Sequence, residues 1–316
     1  MYKIYKTVRG KLTNPQKPSP NCWIDINSPT PEDIEKLSPY FEIPEEVIIS
    51  VKDIDEVPKL ETVDDFQFIL IQTPLNKAES EEGEFNVTPL GILYNKDYVI
   101  TVSEGKNDVI AYLKSKLKNY PKNQIIDTSE KQKLILKLIL FSSKIYLKYL
   151  KVIYQRIFAA QSEIEKVYHN QELINLIDIS KSLAYFNRSL RSNFIVVADK
   201  LGKRKIFKST EEDQELFDDV IDETRQAIET VKIYDRIAVD TANNTATMIS
   251  NRLNQSVANL TGVTIILMLP TLVASIYGMN IDLPFQHNNN AFLIIMGFTL
   301  FLSMVGVMLF YRKKLF

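Results

Sequence analysis

Apolar and polar positions alternate in short runs along the first third of the chain, and the runs predict strands at Tyr2–Val8, Phe66–Thr73, Leu90–Tyr94 and Tyr98–Val102, each bounded by turn residues. Thr30-Pro31-Glu32-Asp33 predicts a helix start, with Thr as N-cap, Pro at the first helical position and acids in the first turn. A second helix is expected after Ile43-Pro44-Glu45-Glu46, and a third over Asn107–Leu117, stopping near Asn119-Tyr120-Pro121. Residues 1–125 therefore read as a mixed α/β domain.

Beyond Pro121 the texture changes. No proline follows until Pro270, and Gly202 is the only glycine between Gly105 and Gly262, so long helices are expected. One or two should fill 129–201, with a break near His169-Asn170, and Gly202–Lys208 forms a basic connector. Ser209 with Glu212 three residues on reads as a capping box. From there nothing obliges the helix to stop before Pro270, and proline is tolerated in membrane helices. Continued to Tyr277, about 68 residues at about 1.5 Å each make a rod of roughly 100 Å. Leu216, Val220, Ile228, Val231, Ile237 and Met248 share one side of it, for which self-association around a central axis is the economical cover.

The end of the chain departs most sharply from the rest. Leu253–Ile281 and Leu283–Tyr311 each run about 29 residues without charge, against roughly 20 needed to cross a bilayer core. They predict two transmembrane helices, about 258–280 and 291–311, joined by an outer loop at 281–290. That loop carries no Lys or Arg, whereas Arg312, Lys313 and Lys314 follow the second span. The positive-inside rule therefore puts both termini in the cytoplasm, and no apolar signal segment follows Met1. A helical cytosolic region at 126–252, the transmembrane region at 253–311 and a basic tail at 312–316 complete the expected organisation.

Composition narrows the chemistry. The 316 residues carry 38 Lys+Arg against 39 Asp+Glu, a net charge of -1, which argues against a nucleic-acid binder held by a basic field. One cysteine excludes a disulfide framework, and only two histidines, His169 and His287, argue against multi-histidine metal sites. No Walker A loop, Rossmann fingerprint, nucleophile elbow or His-Glu-x-x-His pair occurs, so neither an enzyme nor a nucleotide or organic cofactor is expected.

The first span ends in Pro270-Thr271-Leu272-Val273-Ala274-Ser275-Ile276-Tyr277-Gly278-Met279-Asn280. This run, at the outer end of the first of two C-terminal helices, resembles the CorA-type magnesium transporters of the two-transmembrane GxN superfamily. Trp23-Ile24-Asp25, Val57-Pro58-Lys59-Leu60-Glu61 and Phe217-Asp218-Asp219-Val220-Ile221-Asp222 agree less specifically. The resemblance implies an α+β cytosolic domain followed by long stalk helices and a two-helix transmembrane region, assembled as a funnel-shaped homopentamer in the cell (inner or plasma) membrane. It implies that Gly278, Met279 and Asn280 form the selective outer mouth, with Asn254 near the inner mouth, Val257 and Leu260 in a hydrophobic gate and Met268 as a further narrow ring. It also makes Asp219 a regulatory metal ligand, with Asp218 and Asp222 as neighbours in the same acidic segment.

The residues make sense of this on their own terms. Mg²⁺ gives up water reluctantly, and uncharged carboxamides can bind its hydration shell without trapping it. Asn254, Val257, Thr261, Thr264, Met268 and Thr271 recur three or four apart and so share a helix face. Such a face also suits ordinary helix packing in lipid, and Asn280 could serve simply as a polar cap. Gly278 is expected to leave room for the backbone. Acids crowding Glu211–Glu223 suit a helix N-terminus, yet between subunits they would repel until a divalent cation intervened.

One departure from the family matters. Where its loop usually reads Met-Pro-Glu-Leu, this chain has Asp282-Leu283-Pro284-Phe285-Gln286-His287, leaving Asp282 as the substitute for a missing glutamate. The primary expectation is gated Mg²⁺ uptake driven by the membrane potential. The alternatives are Zn²⁺, Co²⁺ or Ni²⁺ transport, Mg²⁺ efflux, or a membrane-anchored cytosolic sensor or scaffold.

Overall fold

Strand pairing in the computed structural model, which describes residues 2–9, 11–76, 85–119, 127–164, 170–281, 283–284 and 289–312, builds one mixed sheet. Its strands are β1 (Tyr2–Val8), β2 (Lys11–Thr13), β3 (Cys22–Asn27), β4 (Lys59–Val63), β5 (Phe66–Asn76), β6 (Phe85–Tyr94) and β7 (Tyr98–Ser103). They lie in the order β2-β1-β3-β7-β6-β5-β4, with β3 and β7 parallel and the other neighbours antiparallel. The four strands expected from alternation are present. β3 lacks that signature because it is covered on both faces, so Cys22 to Ile26 are all buried.

The two faces of β3 belong to different cores. Ile24 and Ile26 pack with helices α1 (Pro31–Phe41) and α2 (Glu45–Ser50) through Ile34, Leu37 and Ile48. Trp23 packs on the other face with residues of α3 (Asp108–Asn119), α4 (Lys131–Ile164) and α5 (Asn170–Ile195). Local chemistry fixes these helices. Thr30 and Asp33 make the reciprocal capping box of α1 at 3.1 and 3.2 Å, and Asn107 Oδ1 accepts from Val109 N and Ile110 N at 3.1 and 3.2 Å to start α3. α5 begins at Asn170, while His169 lies outside the described residues.

After a π-helical turn at Val196–Leu201 and a 3₁₀ turn at Lys205–Lys208, α6 runs from Glu211 to Tyr277 as 67 residues with Pro270 inside it. Its capping box sits one residue later than expected. Thr210 and Asp213 exchange hydrogen bonds at 3.1 Å, and Ser209 Oγ donates to Asp213 Oδ2 at 2.7 Å, while Glu212 turns to Lys133. The shorter Asp side chain reaches back to the cap, which frees Glu212 for the ion pair.

The described chain forms two compact units, Met1–Ala242 and Asn243–Phe316. In the first, the apolar side of α6 is covered largely by the same chain, where its pattern alone makes self-association the economical cover. Val220, Ile228 and Val231 are buried in the core shared with α4 and α5, with Leu216 and Ile237 packed against it. Ser143 and Thr224 hydroxyls meet at 2.8 Å, and Tyr154 stacks on Tyr234 at 4.9 Å between centroids. α4 and α5 thus supply intramolecularly what an isolated amphipathic rod would seek elsewhere; Met248, in the second unit, stays exposed. That unit holds the remainder of α6 and α7 (Ala291–Arg312), both apolar enough in length and composition to cross a membrane.

Candidate functional site

Small and apolar residues set one side of α6 against α7. A Cβ at Gly306 would stand 3.6 Å from Leu269 Cδ1 and 3.7 Å from Ile266 Cγ1, and Gly262 is buried. Farther along, Val273, Ile276 and Tyr277 face Ile294, Ile295 and Phe298 across an apolar groove of about 330 Å³. At about 100° per residue, Gly262, Ile266, Leu269 and Val273 mark the α7-facing side.

The polar stripe lies elsewhere on the helix. Asn254, Val257, Leu260, Thr261, Thr264, Met268 and Thr271 fall within an arc of about 120°, roughly 150° round from the α7-facing side. All seven are exposed in the single chain, Leu260 by 69% and Met268 by 63%. A surface this apolar, broken by one amide and three hydroxyls along one line, calls for a covering that is neither uniformly lipid nor bulk water. Ser275 sits at the middle of the same arc, is exposed, and has no hydrogen-bond partner for its hydroxyl among the described residues. Its place four residues beyond Thr271 could have revealed it.

The three threonine hydroxyls are oriented by the helix itself. Thr261 donates to the Val257 carbonyl at 2.8 Å, Thr264 to that of Leu260 at 2.8 Å and Thr271 to that of Leu267 at 3.1 Å. With the proton committed inward, each oxygen offers only lone pairs outward. A hydrated cation presents water O–H donors, so a wall of acceptors matches its shell.

At the end of α6 the helical bonding closes with Gly278 N donating to Ala274 O at 2.9 Å and Met279 N to Ile276 O at 3.2 Å. Met279 and Asn280 are exposed, and the Tyr277 hydroxyl donates to Pro284 O at 3.2 Å, drawing the loop to the helix end. The glycine at 278 is not demanded by the chain's own sterics. An added Cβ would meet Ala274 O and Ser275 O at 3.4 and 3.6 Å, ordinary contacts, so the room it leaves faces outward from the single chain. Asp282, Gln286 and His287 lie outside the described residues.

The acidic segment is in the other unit and has its own geometry. Asp218 Oδ1 accepts from Gln214 Nε2 at 2.8 Å and Asp222 pairs with Arg225 at 3.0 Å. Asp219, exposed beside them, has no such partner among the described residues. Glu212, held by Lys133 at 2.7 Å, has its carboxyl kept below the usual carboxylate range by that hydrogen bond and charge. Among the described residues no three His, Cys, Asp or Glu are grouped to hold a metal ion.

The model of the CorA-like Mg²⁺ transporter protein family matches residues 19–313. The chain belongs to that family. Among curated relatives of this CorA-like chain, the cobalt/magnesium transport protein CorA of Methanocaldococcus jannaschii is 27% identical over 299 residues, covering 92% of this chain and 90% of the relative. That of Thermotoga maritima is 23% identical over 331 aligned residues, covering 99% and 89%. The complete structure of the CorA magnesium transporter from M. jannaschii superposes with a TM-score of 0.83 at 24% identity, over 99% of this chain and 98% of that one. The shared architecture is thus the full one, from α/β unit to paired C-terminal helices.

Proposed function

We propose that this chain is a gated membrane pathway for divalent cations whose main activity is Mg²⁺ uptake. The observation that carries the reading is the exposed stripe from Asn254 to Thr271, turned away from α7 and ending at Gly278-Met279-Asn280. Copies of the chain, five by family resemblance, would bring these stripes together around a central axis, with the bilayer against α7 and both termini in the cytoplasm. Asn280 then supplies a ring of carboxamides at the outer mouth, and the outward lone pairs of Thr261, Thr264 and Thr271 accept from the water shell of the passing ion. Val257 and Leu260 form the constriction that closes by dewetting.

The driving force needs no nucleotide. At about 2.3 kcal/mol per charge per 100 mV, a divalent ion gains roughly 4.6 kcal/mol, about three decades of concentration ratio. Such a pore has to be gated. Asp219, with unoccupied oxygens near the start of α6, is the acid available to a regulatory cation, the remaining ligands coming from a neighbouring subunit. The names of both curated relatives support Co²⁺ as a second cargo.

The test is tracer or fluorescent Mg²⁺ uptake into proteoliposomes, with Co²⁺, Ni²⁺ and Zn²⁺ as competitors. Wild type should take up Mg²⁺ and Co²⁺, and Asn280→Ala should lose uptake. Equal flux in that variant would overturn the reading.

A further inference from the structure

A cavity of about 290 Å³ lies in the α/β unit, walled by the strap Ile54–Pro58 between α2 and β4, by β5 and β6, and by α5. Its size is at the small end of ligand pockets, which suits a metabolite of few atoms.

The charges on its wall are unspent. Arg188, on α5, has no ion-pair or hydrogen-bond partner among the described residues, and neither does the carboxylate of Asp55 on the strap. Glu56 beside it is neutralised by Lys59 at 3.0 Å. The wall thus presents one free guanidinium and one free carboxylate. Both groups line the same cavity, so a simple anion or a simple cation leaves one of them unmet, whereas a molecule bearing both charges offers each a partner.

Gln72 adds a second observation. It is 4% exposed and lines the cavity, and its Nε2 holds the strap by donating to Ile54 O at 3.0 Å and Glu56 O at 2.9 Å. Those bonds fix which end of the amide is oxygen, and that Oε1 is buried without a partner. A buried acceptor left unmet is unfavourable, so a ligand with an N–H donor that reaches this oxygen is favoured. Ile54, Val57 and Pro58 supply apolar wall for the remainder of the molecule.

From these groups we infer that the cavity binds a small zwitterion of the free amino-acid class, its carboxylate on Arg188 and its ammonium toward Asp55 and Gln72 Oε1. This site is separate from the stripe and from Asp219, and its test does not depend on ion transport.

The experiment is thermal-shift screening of the full-length protein in detergent against the free proteinogenic amino acids at millimolar concentration, followed by calorimetry. At least one amino acid should stabilise the protein saturably. Arg188→Gln and Asp55→Asn, both at exposed positions, should each weaken it about tenfold, and Val57→Trp, which fills the cavity from an exposed position, should abolish it. Acetate and methylammonium, each carrying one of the two charges, should bind at least tenfold more weakly. The inference is overturned if no amino acid stabilises the protein. It is equally overturned if stabilisation survives in both Arg188→Gln and Val57→Trp, or if acetate or methylammonium alone binds as tightly.

Discussion

The indole N–H of Trp23 donates to Thr101 Oγ1 at 3.0 Å across the parallel β3–β7 pair, and Thr101 in turn donates to Asp25 Oδ1 at 3.0 Å. Asp25, 3% exposed, also accepts from Lys114 of α3, so a buried polar chain ties the central strands to a helix. Breaking a buried pair by removing one partner costs more than the pair itself contributes. Asp25→Ala should therefore destabilise the α/β unit by about 3 kcal/mol, the low end for such pairs because a third of the Lys114 side chain stays in water. Trp23 is the only tryptophan, so its fluorescence during thermal or urea unfolding reads this directly. A shift no larger than that of Asp25→Asn would contradict the account.

The Lys133–Glu212 pair predicts a pH dependence. Its carboxyl is depressed by Lys133, so its contribution to stability is present above the usual carboxylate range and lost as pH falls through the lower folded value. The ammonium of Lys133 is raised, first by its hydrogen bond to Glu212, so that contribution is complete below the usual lysine range and lost only at stronger alkali. Lys133→Met should accordingly melt below wild type near neutral pH, and the two curves should converge as pH falls below the usual carboxylate range. A gap that persists in acid would assign the effect to packing.

Asp219→Ala should weaken Mg²⁺-dependent closure, raising the Mg²⁺ concentration that halves flux by about fivefold or more while leaving maximal uptake intact. Asp222→Ala, whose carboxylate is already committed to Arg225, should shift the midpoint less. Equal shifts in the two variants would argue for a diffuse acidic field instead of a site.

Gly202 is required directly after the π-helical turn. A Cβ there would stand 2.3 Å from the Ala198 carbonyl oxygen and 3.3 Å from Phe217 Cζ. Gly202→Ala should cost about 1–3 kcal/mol, seen as a lowered melting temperature in the same fluorescence assay. A melting temperature equal to wild type would show that the turn relaxes freely.

Much of this architecture was legible along the chain, and what escaped has physical causes. The charge-free spans, the helix starts at Thr30 and Pro44 and the unbroken α6 are written in local features: absent charge, a cap, absent punctuation. β3 escaped because burial on both faces removes alternation, and β4, which runs antiparallel to β5 with Glu61 and Lys59 on it, escaped because it is partly exposed and polar. The shift of the α6 cap from Ser209 to Thr210 is a choice between adjacent good caps, made where Asp213 reaches back to Thr210 and Glu212 turns to Lys133, distant in sequence. In the stripe, spacing located Thr261, Thr264 and Thr271, but the direction of their hydroxyl protons is a property of the folded helix. Ser275 was within reach of the same spacing.

Pro270 gives α6 a place to yield. A proline withholds the amide proton that the carbonyl of Ile266, one turn earlier, would otherwise receive. The last turns before Gly278 are therefore tethered by one fewer bond than an uninterrupted helix would have, and any local kink in this part of α6 falls at that turn.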